Sequence, residues 1–277
     1  MKLSEITIGQ HFPGESPIHR LDPRAKIVIT GAYVVMLFLA QNIVGLLVGV
    51  LFVLITYPVS GVALRFILRS LRPVLPIIIF TGVLNLFFVG GDPIWEFWRL
   101  SITAQGVRIA VHMCLRIICL IAGSALLTYT TSPIALTDGL ETLFAPLKRI
   151  KAPVHEIAMM MTITLRFIPT LIEETQKIMS AQKARGADLE SGNILQRLRA
   201  MLPILIPLFV SAFRRADELA LAMESRCYHG GEGRTRMRVL RYSALDALAG
   251  VFVLVCIGAV VAANIAGPYL GTLGVAW

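Results

Sequence analysis

Long apolar stretches recur along the chain with little charge. Three of them, at 27–40, 43–57 and 74–90, contain no charged residue. Two more run over about 106–131 and 245–266. Because about 17 to 25 apolar residues in a helix cross a bilayer, this pattern predicts an all-α integral membrane protein with about five transmembrane helices.

The pattern changes from apolar on all sides to amphipathic after Ser132 and Pro133, a pair typical of a helix that starts with proline in its first turn. From there to Arg241, charged residues recur every few positions. We expect an N-terminal transmembrane region, a region of long amphipathic cytoplasmic helices and a C-terminal transmembrane helix, at 1–131, 132–241 and 242–277. If part of 201–212 enters the bilayer, the transmembrane helices number six.

Composition favours a membrane location. Of 277 residues, 56% are hydrophobic and 16% are charged, and the mean hydropathy is +0.74, whereas soluble domains carry about a quarter charged residues. The first 26 residues are polar and contain prolines instead of a charged start followed by an apolar core. We therefore expect no cleaved secretory signal and an N-terminus that stays attached.

Positive charge is concentrated in one third of the chain. Between 148 and 241 there are 16 Lys or Arg and 9 Asp or Glu, so this segment carries +7 of the net +9. By the positive-inside rule the segment is cytoplasmic. Basic residues beside the first three apolar stretches place the N-terminus on the same side: Arg20, Arg24, Lys26, Arg65, Arg69 and Arg72. The loop that contains Asp92 and Glu96 then lies on the outer side.

The two longest amphipathic segments each contain a series with gaps of three and four, typical of a helix that packs along its length on another. The first series is Val154, Ile157, Met161, Thr164, Ile168, Leu171, Thr175, Ile178 and Gln182. The second is Leu195, Leu198, Leu202, Leu205, Phe209, Ala212, Ala216, Leu219 and Met223. The next step falls on Arg185 in the first series and on Arg226 in the second.

Both arginines lie in a small-Arg-small tripeptide. Ala184-Arg185-Gly186 also fits an ordinary helix end, because a cation in the last turn complements the helix dipole and glycine commonly follows the last helical residue. Ser225-Arg226-Cys227 lacks that glycine, which favours recognition over capping for the second copy. A guanidinium at a helix tip is a planar, permanently charged fork suited to carboxylates or carbonyl groups of a partner.

Motifs for several kinds of chemistry are missing from the sequence. It has no G-x-x-x-x-G-K-[ST] loop for nucleotide phosphates, so we expect no ATP hydrolysis by this chain. His155-Glu156 begins like a zinc protease helix, but position 159 is methionine, and the four cysteines lack metal-ligand spacing. We predict no enzymatic activity, no cofactor and no metal. Since few aromatics lie among the basic residues, we also predict no nucleic-acid binding.

The fourth apolar stretch carries Arg108, His112 and Arg116 on one helix face. Ionisable groups in a membrane helix often mark a pathway, so a self-contained secondary transporter of an anion or a proton is an alternative function. If the helix instead starts at the outer interface, Arg108 and His112 reach the headgroups, and Arg116 alone lies deep.

Seven segments resemble the transmembrane T component of the energy-coupling factor transporters, the vitamin and metal importers of the ATP-binding-cassette class. They lie at 19–26, 137–141, 154–158, 166–170, 181–186, 222–228 and 230–235. The resemblance extends over nearly the whole chain, and the paired arginine tripeptides are its most specific part.

The resemblance implies a non-catalytic coupling subunit for micronutrient uptake across the cell membrane. The tripeptides at 184–186 and 225–227 would dock on two ATP-binding-cassette ATPase subunits. The apolar seam would face a separate substrate-binding membrane subunit, the S component; its residues are Ile168, Leu171, Ile178, Leu202, Leu205, Phe209, Leu219 and Met223. The family's second tripeptide usually reads Ala-Arg-Gly, so whether Cys227 weakens the turn stays open.

Overall fold

The computed structural model describes residues 12–90, 93–97, 100–187, 193–230 and 240–266. In this part the α-helices are α1 (Pro17–Arg20), α2 (Pro23–Leu39), α3 (Ile43–Ser60), α4 (Leu64–Leu71), α5 (Leu75–Phe88), α6 (Ala104–Thr130), α7 (Pro133–Leu143), α8 (Val154–Ala184), α9 (Ile194–Ser225) and α10 (Ala244–Ala266). Two short 3₁₀ helices cover Arg72–Val74 and Ala145–Ile150, and two strands are β1 (Pro93–Phe97) and β2 (Leu100–Thr103).

The predicted apolar stretches all form helices, and the all-α integral membrane fold is confirmed. Among the described residues, four helices are long and apolar enough to cross a membrane: Ile43–Ser60, Arg65–Phe88, Ala104–Thr130 and Ala244–Ala266. The first predicted span forms α2, whose 17 residues lie at the lower limit for crossing. The segment 201–212 lies inside α9, which is not among the four.

The described residues divide into two compact units. One lies within Gly9–Gly139 and Leu240–Trp277, and the other within Leu140–Val239. The predicted change of character after Ser132 coincides with the start of α7 at Pro133, where the Ser132 hydroxyl accepts a hydrogen bond from the Ala135 amide at 3.3 Å. The three-region division of the chain stays a prediction.

The core of the first unit is built around Tyr33 of α2, which is 1% exposed. Its hydroxyl donates to the carbonyl oxygens of Gly49 in α3 at 3.4 Å and Cys119 in α6 at 3.1 Å, so the polar tip is satisfied inside an apolar core. The Tyr33 ring stacks on Phe52 with centroids 4.6 Å apart. A Cβ on Gly123 would overlap the Tyr33 ring, so α2 and α6 approach closely only because this residue is glycine.

A buried polar cluster joins the start of α2 to the start of α10. One carboxylate oxygen of Asp246 accepts from the Asp22 amide at 2.8 Å. The Lys26 amine, 6% exposed, donates to the carbonyl oxygens of Thr130 at 2.9 Å and His19 at 3.2 Å. These contacts account structurally for part of the segment 19–26. They were not predicted from the sequence.

The loop predicted between the third and fourth apolar stretches contains a hairpin instead. β1 pairs antiparallel with β2, and Glu96 lies opposite Ser101. Asp92 lies outside the described residues, and the side of the membrane on which this loop lies stays a prediction. The last part of the segment 230–235, from Gly231 onward, is also outside the described residues.

Candidate partner-docking site

Helices α8 and α9 pack against each other in antiparallel directions. The Gln182 side chain near the end of α8 donates to the Pro203 carbonyl near the start of α9 at 3.3 Å. Farther along, Glu174 of α8 meets Ser211 and Arg215 of α9. The C-terminal end of each helix therefore lies beside the N-terminal half of the other.

This arrangement places the two predicted docking arginines at opposite ends of the helix pair. With Gln182 beside Pro203, Arg185 lies level with about residue 200 of α9. Arg226 is then about 26 residues farther along, or about 40 Å at about 1.5 Å per residue. Both arginines are exposed. The structure thus separates the two sites widely, which the shared register of the two series did not show.

A charged contact holds the middle of the pair together. The Ser211 hydroxyl donates to one oxygen of the Glu174 carboxylate, and Arg215 donates to the other at 2.8 Å. The Ser211 hydrogen bond, followed by the charge of Arg215, lowers the pKa of Glu174 below its ordinary value because both favour the charged form. This contact was not predicted from the sequence, although Ser211 and Arg215 are four residues apart and therefore lie on one face of α9.

Both helices end in the same turn, a Schellman motif. At the end of α8, the Gly186 amide donates to Lys183 O and the Ala187 amide to Gln182 O, both at 3.0 Å. Gly186 has a φ of +85°. The Arg185 side chain therefore leaves the chain immediately before a tight reversal.

The end of α9 repeats this geometry. The Cys227 amide donates to Glu224 O at 2.9 Å and the Tyr228 amide to Met223 O at 3.1 Å. Cys227 adopts a φ of +56°, in the left-handed region that favours glycine. The turn at the end of α9 therefore forms without a glycine. Arg226 is the C-cap residue of α9, as Arg185 is of α8. Ala184 and Ser225 are the last helical residues before these turns.

A groove of about 480 Å³ lies beside Arg226, between α8 and the end of α9. Its apolar walls are formed by Met159, Ile163, Leu219 and Met223. Arg226, Cys227 and residues 228–230 line the rest of it. The second arginine thus stands at the edge of a partly apolar depression.

The N-terminal part of the second series does not pack against α8 within this chain, and its predicted contact with a separate membrane subunit stays a prediction. Leu202, Leu205 and Phe209 are 50%, 40% and 61% exposed, whereas Ile204 is 6% exposed. The contact of Glu174 fixes the rotation of α9 with Ser211 toward α8, so the neighbouring leucines face away. The other seam residues are half-buried: Ile168, Leu171, Ile178, Leu219 and Met223.

The three ionisable residues of α6 lie in different environments. Arg108 is exposed, and His112 is 1% exposed. Arg116 donates to the Ala40 carbonyl at 2.6 Å, which satisfies a carbonyl group at the end of α2. This contact gives Arg116 a structural role in the link between α2 and α3.

Comparison with known proteins gives consistent results. The family described as cobalt transport protein, CbiQ, matches residues 14–237. The Energy-coupling factor transporter transmembrane protein EcfT of Ruminiclostridium cellulolyticum is 54% identical over 246 residues, covering 89% of this chain and 92% of that protein. The protein of the same name from Thermosediminibacter oceani is 56% identical over 244 residues, covering 88% and 92%.

A third relative, the EcfT protein of Clostridium kluyveri, is 52% identical over 259 residues, covering 92% of this chain and 96% of that protein. Similarity of this extent agrees with the four helices suited to a bilayer. The chain is therefore a multi-pass membrane protein that belongs to the CbiQ family and, within it, to the transmembrane T components of energy-coupling factor transporters.

Proposed function

We propose that this chain couples two ATP-binding-cassette ATPase subunits to a substrate-binding membrane S component, for uptake of a micronutrient such as a vitamin. One ATPase binds the end of α8 through Arg185, and the other binds the end of α9 through Arg226. ATP hydrolysis takes place on those partners. The observation that carries the proposal is the repetition of one turn, with an exposed arginine in the same place, at both ends of the helix pair.

The geometry of the ends supports docking over simple capping. A capping cation interacts with the carbonyl groups of its own last turn, but in both ends backbone amides of the Schellman turn already occupy carbonyl groups of that turn. Among the described residues, neither arginine forms an ion pair with an acidic side chain. Each guanidinium therefore keeps its donors for a partner's carboxylates or carbonyl groups. The separation of about 40 Å suits two separate partner subunits.

The apolar face of α9 supports a membrane partner. Leu202, Leu205 and Phe209 are exposed on one side of the helix, and exposed apolar surface of this kind marks a protein or membrane contact. We assign this face, with the half-buried seam residues beside it, to the S component. The charge distribution supports a cytoplasmic side for the N-terminus and for the ends of both helices.

The proposal is tested by replacing the two arginines in the assembled transporter. Arg185→Ala and Arg226→Ala should each weaken ATPase binding by about 2 kcal/mol, or roughly 30-fold, as for arginines central to an interface. The double variant should lose ATP-driven uptake while the chain remains in the membrane. Co-purification of the ATPases and uptake into proteoliposomes are the measurements.

The matched control is the double variant Lys177→Ala and Arg214→Ala, which removes one exposed cation from each helix at a position away from its C-terminal turn. It changes the net charge by the same amount and should leave ATPase binding within about two-fold. Equal loss in both double variants would show that net charge, and not the position of the arginines, governs binding.

A self-contained transporter is the other function that the sequence suggests, through Arg108, His112 and Arg116. The contact of Arg116 with Ala40 makes its guanidinium part of the fold, which weakens that alternative. Reconstitution of this chain alone separates the two, because only the alternative predicts substrate movement without the ATPases.

A further inference from the structure

Helix α4 and its C-terminal cap residue, Arg72, present three arginines along one face. Arg65, Arg69 and Arg72 are spaced i, i+4 and i+7, which places them on one side of a helix, and all three are exposed. The guanidinium carbons of Arg65 and Arg69 lie 5.3 and 5.8 Å from the centre of the Phe66 ring. Within the described residues no ion pair is formed by any of the three.

The adjacent face of α4 is anchored to α6. The Phe66 ring packs on Tyr129 with centroids 5.7 Å apart, and the Tyr129 hydroxyl donates to the Phe66 carbonyl at 3.2 Å. Ser70 forms a hydrogen bond of 2.5 Å with the same hydroxyl. The helix is therefore held in one orientation, with its basic face outward.

This basic face lies at the end of a membrane-crossing helix. Arg65–Phe88 is one of the four candidate spans, so its arginine-bearing end lies at the level where lipid headgroups are found. Leu68, on the same short helix, is 69% exposed. Exposed arginines beside an exposed leucine form the amphipathic surface of a helix that lies at a membrane interface.

An apolar groove of about 520 Å³ lies between α5 and α6. Its walls include Ile79 and Val83 of α5 and Val111 and Ile118 of α6, and every lining residue is apolar, glycine or cysteine. It begins about six residues beyond Arg72, or about 9 Å along the helix. An acyl chain extending into the bilayer from a headgroup at Arg72 passes this groove.

We propose that α4 and this groove form a binding site for an anionic phospholipid. The phosphate accepts hydrogen bonds from Arg65, Arg69 and Arg72, and one acyl chain lies in the groove between α5 and α6. Guanidinium groups pair strongly with phosphate oxygens. In an anionic phospholipid, no cation within the headgroup neutralises the negative charge of the phosphate. A zwitterionic headgroup carries its own cation, so the three arginines select against it.

Native mass spectrometry of the purified chain with added phosphatidylglycerol or phosphatidylcholine tests the proposal. Wild type should retain phosphatidylglycerol preferentially. Each Arg→Gln change should weaken retention about five-fold, by the effect of one basic residue near an anionic surface. The triple variant Arg65→Gln, Arg69→Gln and Arg72→Gln should lose at least about ten-fold. The control Lys177→Gln, Arg199→Gln and Arg214→Gln removes three exposed cations from α8 and α9 and should retain the lipid.

A second variant tests the groove independently. Wild type should hold long-chain phosphatidylglycerol more firmly than the dihexanoyl form, and Val83→Trp, which fills the groove, should abolish that difference. Unchanged retention in the triple arginine variant, equal retention of the two headgroups, or displacement of the lipid by equimolar inorganic phosphate would each overturn the proposal. So would equal retention of the long-chain and dihexanoyl lipids by wild type.

Discussion

The turn at the end of α9 carries a conformational cost that one substitution should relieve. Cys227 has a φ of +56° and, with Lys151, is one of two non-glycine residues of positive φ in the described ranges. The left-handed conformation costs a residue with a Cβ about 1 to 2 kcal/mol. Glycine avoids that cost but makes the unfolded chain more flexible, which offsets about 0.4 to 1 kcal/mol. Cys227→Gly should therefore stabilise the turn by about 0.5 to 1 kcal/mol.

The effect is local, so hydrogen exchange is the appropriate assay. The amides of Cys227 and Tyr228 donate to Glu224 and Met223, and they exchange when this turn opens. A stabilisation of about 0.5 to 1 kcal/mol slows their exchange about two- to five-fold. Exchange followed by mass spectrometry on the purified protein, with a peptide that covers these amides, measures this change.

Two further variants distinguish the effect of the backbone conformation on exchange from the effect of the cysteine side chain. Cys227→Ala keeps a Cβ at the same φ, so the exchange rate should not change. Gly186→Ala places a Cβ at φ +85° where no neighbouring atom lies within 4 Å, so it should accelerate exchange of the Ala187 amide about two- to five-fold through the backbone alone. If Cys227→Ala slows exchange as much as Cys227→Gly, the cost lies in the sulfur and the reasoning from φ is refuted.

Two other predictions concern contacts inside each unit, one in the first and one in the second. Gly123→Ala should destabilise the first unit by about 3 kcal/mol, since the added Cβ overlaps the buried Tyr33 ring, whereas Gly31→Ala, with no atom within 4 Å, should be neutral or stabilising; thermal unfolding in detergent compares them. Glu174→Gln should weaken the α8–α9 contact at pH 7 by at most about 1 kcal/mol, because solvent screens the half-exposed Arg215. Since the pKa of Glu174 is lowered in the folded protein, its contribution is present above its ordinary pKa of about 4.3 and is lost as the pH falls through the lowered value. The exchange rates of α9 amides in wild type and Glu174→Gln should therefore converge at low pH, and a difference that widens on acidification would contradict the assignment.

The long helices of the first unit were predictable because a bilayer imposes a length on any apolar helix that crosses it. The start of α7 was predictable for a local reason, the fixed φ of Pro133. The turn at 227 was not, since a cysteine in the left-handed region runs against the ordinary preference that glycine signals.

Contacts between residues far apart in the sequence could not be predicted from a single sequence. The hydrogen bond from Asp22 to Asp246 joins residues 224 positions apart, and the contact of Glu174 with Arg215 joins residues 41 apart. The second of these determines which side of α9 faces α8. Spacing alone indicated a packing face through Leu202, Leu205 and Phe209, because it identifies apolar positions without identifying their neighbours.

The Glu174 contact also has a mechanical consequence. It lies near the middle of the distance between Arg185 and Arg226, about 17 Å from the level of the first and about 23 Å from that of the second along the helices. If α8 and α9 tilt together about this point by about 10°, the two ends move about 3 to 4 Å in opposite directions. A displacement of the end at Arg185 then moves the end at Arg226 in the opposite direction, so the two docking sites move together.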